Sequence, residues 1–262
     1  MIDRTVLVTG ANKSIGYETA RQLGRLGLRV WLGSRDAERG TAAAARLGAE
    51  GLDVRALTID VTSEDSVRAA VTRVEHEDGK LDILINNAGI AGLQPILPSE
   101  QPLEDIKTIY ETNVFAPIRV AQAFLPLLKA GRDASIVMVS SGLGSSGWLS
   151  DPDNQFYGVN ILGYNSSKTA LNAVTLSLAK ELSGYGISVN AADPGYTATD
   201  FNGHTGYRTV EEAAAGIVWL ATQDPAGLPA GSTSNRIWCL GKRTANSSRK
   251  RRERGRKRTT AG

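Results

Sequence analysis

The sequence predicts an α/β fold, a doubly wound parallel sheet in a single domain. Three observations predict it. Six short β-branched runs between Thr5 and Gly195 are apolar almost throughout, where half-buried strands would alternate. Longer stretches with helical periodicity separate these runs, as parallel strand connections require. The first run passes through a glycine-bearing turn directly into a helix, which is how a doubly wound sheet begins.

The runs are "TVLVTG" from Thr5, "RVWLGS" from Arg29, "VRALTID" from Val54, "LDILINNAG" from Leu81, "ASIVMVSS" from Ala134 and "GISVNAADPG" from Gly186. After the first strand, "ETARQLGRLGL" places Ala20, Leu23 and Leu26 near one helical face. "SEDSVRAAVTRVEHE" opens on a Ser63-x-x-Ser66 turn with acids in its first turn, which suits a helix N-terminus. "KTALNAVTLSLAKELSGYG" is apolar at Leu171, Val174, Leu178 and Leu182 and stops near Gly184 or Gly186. Tyr164 and Lys168 fall at the start of that last helix, and a spacing of four puts them on one face.

With 262 residues, 41% of them hydrophobic, the chain can bury one domain and carry an appendage. No stretch approaches the roughly 20 apolar residues of a membrane span, and "MIDRTVLVTG" lacks the form of an export signal. A soluble cytoplasmic protein without a membrane partner is expected. One cysteine, Cys239, excludes an internal disulfide framework, and His76 and His204 without partner cysteines argue against a structural zinc site, so no metal is expected. Charge is unevenly placed. Lys242 to Arg258 holds ten Lys or Arg and one acid, a net +9, while the remainder has 20 basic and 26 acidic residues, a net −6. The basic run has no aromatic or large apolar residue to dock it and is expected to be disordered from 242. Lys/Arg clusters bind nucleic acid through its phosphates, but an acidic body with a solvated basic tail does not lead us to expect such a partner.

Chemistry concentrates at four places. "TGANKSIG", Thr9 to Gly16, joins the first strand to a helix; glycines there let backbone N–H groups approach a phosphate, and the helix N-terminus favours negative charge. A tight turn using glycine for positive φ is the ordinary alternative, weakened by the position on the first strand. At the end of the second strand, "LGSRD" offers Ser34 and Arg35 where an acid would hold a free ribose. With Lys13 in the glycine loop, two cations favour a 2′-phosphate and hence NADP(H), unless Asp36 neutralises Arg35. "YNSSK" supplies Tyr164 and Lys168; Tyr157 cannot make the same pair, because Ile161 stands four residues after it. Ser141 as a nucleophile would need a base, and neither histidine sits in a partner motif, which argues against a hydrolase.

In this order the motifs resemble the short-chain dehydrogenases/reductases, and among them the carbonyl-reductase-like members, over residues 5 to 222. The resemblance implies a Rossmann fold in which Thr9-Gly10-x-x-x-Ser14-x-Gly16 is the cofactor loop, with Asn12, Lys13 and Ile15 inside it. It implies that Asp60 and Val61 meet the adenine, that Asn86-Asn87-Ala88-Gly89 stabilises the sheet beside the cofactor, and that Pro194, Gly195, Tyr196 and Thr197 border the nicotinamide. Asn113, Ser141, Tyr164 and Lys168 match the family's catalytic tetrad. In the mechanism so implied, Lys168 lowers the Tyr164 pKa from its usual value of about 10 and holds the ribose hydroxyls. Tyr164 protonates a carbonyl oxygen that Ser141 also binds, and Asn113 supports a water chain. The substrate would be a small aldehyde or ketone.

Three features depart from the pattern. Ser14 stands where the loop usually has glycine. The stretch between Ser141 and Tyr164 is longer than in most members; it resembles an insertion that covers oligomerisation helices, which makes a monomer the expected state with a homo-oligomer left open, and offers Trp148, Phe156 and Tyr157 as pocket walls or as packing of the insertion. Composition changes abruptly near Gly231, as a shifted reading frame would produce, so residues 1–230 are expected to form the dinucleotide-binding catalytic domain and 231–262 an atypical C-terminal segment, in which "RIWCL" could supply a last strand. These departures leave a second reading open, a dinucleotide-binding sensor or scaffold without turnover.

Overall fold

The computed structural model describes residues 4–223 and 237–239. Seven parallel strands, β1 (Thr5–Val8), β2 (Arg29–Ser34), β3 (Val54–Thr58), β4 (Ile83–Asn86), β5 (Ser135–Val139), β6 (Ser188–Asp193) and β7 (Ile237–Cys239), form one sheet in the order β3-β2-β1-β4-β5-β6-β7. The helices are α1 (Ser14–Arg25), α2 (Ala37–Ala49), α3 (Glu64–Asp78), α4 (Leu103–Tyr110), α5 (Ala116–Ala130), α6 (Ser146–Leu149), α7 (Leu162–Leu182) and α8 (Val210–Thr222). The doubly wound α/β class and the six apolar runs are as the sequence predicts. β7 lies within "RIWCL" and pairs with Ala191 to Asp193 of β6; the remainder of the 231–262 segment lies outside the described residues. None of the described helices is long and apolar enough to cross a membrane.

Successive strand side chains enter two different cores, which is why the runs are apolar throughout. In β1, Val6 and Val8 join Leu23, Leu32, Leu47, Ile83, Ile85 and Ile217 on the α1/α2/α8 side. Leu7, between them, joins Trp31, Leu84, Phe124, Leu128 and Ile136 on the other side. Each such side chain contributes about 1.5–3 kcal/mol on burial, so central strands such as β1 and β4 are apolar on both faces.

Helix starts are set by local hydrogen bonds. Ser63 accepts from the Ser66 N–H at 3.3 Å to cap α3, and Asp36 accepts from the Arg39 N–H at 3.0 Å to cap α2. Asp36 also pairs with Arg39 Nε at 3.2 Å, so it is committed away from Arg35. α1 begins at Ser14, earlier than its periodicity indicates; Ala20 and Leu23 are buried, whereas Leu26 falls past the helix end and is 51% exposed. Far from the chemistry, fully buried Asp82 accepts from the N–H groups of Thr5 at 2.7 Å and Arg132 at 2.6 Å, stapling the starts of β1 and β4 to the end of α5.

Candidate active site

The strand order reverses between β1 and β4, and a crevice at the carboxyl ends of strands forms at such a point. Two loops meet there. Thr9 Oγ1 accepts from the N–H groups of Asn87 at 3.0 Å and Ala88 at 3.1 Å, while Asn87 Nδ2 donates to the carbonyls of Thr9 at 2.9 Å and Gly10 at 3.1 Å. The turn is drawn in so closely that a Cβ on Gly16 would lie 2.5 Å from Asn87 Nδ2. Gly10, at φ +63°, would bring one to 2.9 Å from the Ala88 backbone.

This cradle fits the pyrophosphate of a dinucleotide. The N-terminus of α1 has no side-chain cap and no acid in its first turn, so its N–H groups remain donors for an anion. Asn12 and Ile15 are half-buried in the turn. Ser14 adopts φ +56°, the left-handed region that glycine takes without strain.

Beyond the end of β2, an open cleft of about 690 Å³ is lined by Arg35, Thr62, Ile90, Lys107, Tyr110 and Thr112, among others. Asp60 Oδ1 accepts from both the hydroxyl of Thr62 at 2.7 Å and its N–H at 2.9 Å; these bonds, with help from Arg35 and Arg119, hold its carboxyl below the usual range. Val61 beside it is buried. Arg35 is exposed and makes no hydrogen bond or ion pair among the described residues. Lys13 differs from expectation. Its ammonium is taken by Asp200 Oδ2 at 2.6 Å, so the structure does not leave it as a second unpaired cation with Arg35.

The tetrad residues come from four separate places in the chain and converge. Asn113 lies in a π-helical stretch, Glu111–Phe115, that widens the junction of α4 and α5. Its Oδ1 accepts from the Ile90 N–H at 2.9 Å, and its Nδ2 donates to the Ile90 carbonyl at 2.9 Å and to Ser167 Oγ at 3.1 Å. A Cβ on Gly89 would stand 3.3 Å from Asn113 Oδ1 and 3.7 Å from Lys168 Nζ, so Gly89 keeps this floor open. Lys168 is buried, and its Nζ donates to the Val139 carbonyl at 2.8 Å and lies 5.6 Å from the Tyr164 ring centroid.

The electrostatics correct one sequence expectation. Burial pushes the Tyr164 phenol up to about 12; a hydrogen bond with Ser141 opposes the rise and the charge of Asp193 adds to it. Burial likewise pushes the Lys168 ammonium down to about 8, against the pull of Asp193. Burial therefore outweighs any lowering of the Tyr164 pKa by Lys168 in this geometry, because desolvation disfavours the charged form of each group and dominates. The arrangement keeps the phenol protonated at neutral pH.

After β6 the chain turns at Gly195, φ +73°, whose N–H donates to Asp193 Oδ1 at 2.9 Å. Pro194 and Thr197 are linked by a 3.2 Å bond from Thr197 Oγ1 to the Pro194 carbonyl, and Tyr196 is exposed with its ring edge-on to Tyr207. Phe201, farther along this loop, lies edge-on to Tyr164 at 5.6 Å between ring centroids. Trp148 and Phe156 stack on each other at 5.7 Å, and both would touch a Cβ on Gly142, so the insertion packs directly behind Ser141, while Tyr157 stays exposed. Sequence reasoning gave no individual role to Asp193, Asp200 and Phe201, which the structure brings to this site. For Asp193 a signal existed: an acid directly after two small apolar residues at the end of a strand.

Residues 4–208 match the family described as short chain dehydrogenase. A relative from Penicillium roqueforti named as a short-chain dehydrogenase is 37% identical, with 83% of this chain and 88% of that protein covered. The (+)-neomenthol dehydrogenase of Arabidopsis thaliana is 33% identical over 87% of this chain and 94% of its own. Among solved structures, NADPH-bound carbonyl reductase from chicken fatty liver superposes with a TM-score of 0.76 at 27% identity, covering 91% of this chain and all of that one. Salutaridine reductase from Papaver somniferum gives 0.77 at 25% identity, covering 90% of this chain and 99% of its own.

Proposed function

The chain belongs to the short-chain dehydrogenase family, and from that membership we propose that it is an NADP(H)-dependent reductase of aldehydes or ketones, working in reverse as an alcohol dehydrogenase. The observation that carries the reading is the cluster of Asn113, Ser141, Tyr164 and Lys168 beside a glycine cradle with an uncapped helix N-terminus. Gly10, Gly16 and the first turn of α1 would hold the pyrophosphate, Asp60 and Val61 the adenine, and Asn87, Ala88, Gly89 and the Pro194–Thr197 turn the nicotinamide end. When bound, the nicotinamide supplies or accepts the hydride.

Ser141 and Tyr164 bind the substrate oxygen together. Tyr164, with its phenol pushed up to about 12, keeps its proton at neutral pH and delivers it to an oxygen that becomes more basic than a phenolate as the carbonyl is reduced. Lys168 holds positive charge beside the phenolate left behind, and Asn113 orders the Ile90 backbone and Ser167 at the route by which a proton returns. The edge of Phe201 against Tyr164 favours a carbonyl compound with an apolar substituent.

Arg35 supports NADP(H) over NAD(H). It is exposed at the end of β2, and the nearest acid in sequence, Asp36, is committed to Arg39. The test is a parallel fluorescence titration with NADPH and NADH. Tighter NADPH binding that weakens in Arg35→Asp is expected, followed by turnover of apolar carbonyl compounds that Tyr164→Phe lowers by about 10²–10⁴-fold while cofactor binding persists. Binding with no turnover of any carbonyl compound would favour the sensor reading.

A further inference from the structure

We propose that Asp193 is a positioning residue of this site, a buried carboxylate that clamps the Ser141–Gly142 turn to the Pro194–Gly195 turn and supplies the negative charge facing Lys168. The inference rests on reading Tyr164 and Lys168 as the working pair. Asp193 ends β6 at 6% exposure, after Ala191 and Ala192, which are fully buried. A carboxylate taken out of water costs several kcal/mol unless it is hydrogen-bonded and paired, so its partners define what it does.

Those partners are the two turns that frame the reaction. Oδ1 accepts from the Gly195 N–H at 2.9 Å, and the carboxylate also accepts from the N–H of Gly142, the residue after Ser141. Oδ2 is so close to Gly142 that a Cβ there would lie 2.9 Å away, with Trp148 at 2.8 Å and Phe156 at 2.9 Å closing the same space. The stacked rings shield the clamp from water on that side. The charged groups facing it are Lys168 from α7 and Arg208 from the returning limb of the loop, whose side chain packs over Gly195; the neutral hydroxyls of Ser141 and Tyr164 complete the surroundings. Lys168 donates its hydrogen bond to the Val139 carbonyl, so Asp193 acts on it through space. The same negative charge raises both Lys168 and Tyr164, biasing the pair toward its fully protonated form, the form that reduction consumes.

The experiment follows the Lys168 side-chain resonance with pH in the full chain labelled with ¹³C-lysine, assigned by its loss in Lys168→Arg. In Asp193→Asn the Lys168 midpoint should fall by about one pH unit; a midpoint that stays in place or rises overturns the proposal. Asp193→Ala, which sets no amide donor against the two backbone N–H groups, carries the same expectation if the Asn variant does not fold. The unsubstituted protein gives an independent check: its Lys168 resonance should show a second, smaller inflection in the acid range as Asp193 takes up a proton, and a flat acid limb counts against the proposal. None of these readouts needs turnover, so a protein that reduces no carbonyl compound but shows the shifted midpoint refutes the reductase reading and leaves the role of Asp193 standing.

Discussion

Lys13 Nζ and Asp200 Oδ2 meet at 2.6 Å although 187 positions separate them, joining the glycine turn after β1 to the loop after β6. Asp200 also takes His204 Nε2 at 2.9 Å, and the next residue, Phe201, lies over Tyr164. Both partners are more than half exposed, so the contact is solvated and easily screened. It holds Lys13 from the cofactor while holding Phe201 near the phenol. In Asp200→Asn the freed ammonium should tighten NADPH binding by about threefold at low salt, with NADH binding unchanged and the thermal midpoint unmoved. Parallel titrations of the variant and the unsubstituted protein check this, and equal gains for both nucleotides would show that Lys13 does not reach the 2′-phosphate.

Ser14 stores local strain. At φ +56° a residue with a Cβ gives up about 1–2 kcal/mol relative to its right-handed conformation, and Ser14 donates no hydrogen bond among the described residues that would offset it. Glycine removes the strain but loses more entropy on folding, about 0.5–1 kcal/mol. Ser14→Gly should therefore stabilise the protein by up to about 1 kcal/mol, read by urea denaturation. It should also tighten binding of both nucleotides, because the backbone can then approach the pyrophosphate without a side chain in the way.

The same position shows how far the sequence could be read. A departure from glycine at Ser14 was visible in the motif, but its positive φ required the closed turn between Thr9 and Asn87. The strands were legible because both cores demand apolar residues at successive positions, and helix starts because Ser63 and Ser66 lie in one short turn. Lys13 was misjudged because its partner, Asp200, comes from a loop with no periodicity to place it. The electrostatics of Tyr164 and Lys168 were misjudged for a related reason: helical spacing reports that two side chains share a face, whereas the sign of each shift depends on how much water the surrounding loops exclude. Asp193 stands out only once the Ala191–Ala192 end of β6 is seen to be fully buried.

The pH dependence of carbonyl reduction follows from those two shifts. Reduction draws on a protonated Tyr164, pushed up to about 12, and a charged Lys168, pushed down to about 8. The Lys168 limb is met first, so kcat/KM for reduction should be flat below pH 7 and fall through a midpoint near pH 8, long before the phenol titrates. A rate profile from pH 6 to 10 checks it. A single fall near pH 10 would mean that Lys168 keeps its charge throughout the working range.

Lys168 also carries a cost in stability. Its pKa is about 8 in the folded protein against 10.5 as the ordinary value, so between those limits the unfolded chain binds more protons and stability rises with pH. Below pH 8 the full penalty of burying the charge is present, about 3 kcal/mol. Lys168→Met removes that penalty but leaves the Val139 carbonyl without its donor, which costs about 1–2 kcal/mol, and leaves Asp193 with Arg208 and two backbone N–H groups. The variant should be inactive yet more stable by about 1–2 kcal/mol at pH 7, with the gain shrinking toward pH 10. Tyr164 contributes the opposite trend only at higher pH, where its raised pKa makes the folded protein hold a proton that the unfolded chain has lost. Urea denaturation at pH 7 and pH 9.5 separates the two; an equal gain at both would show that packing, not charge, sets the effect.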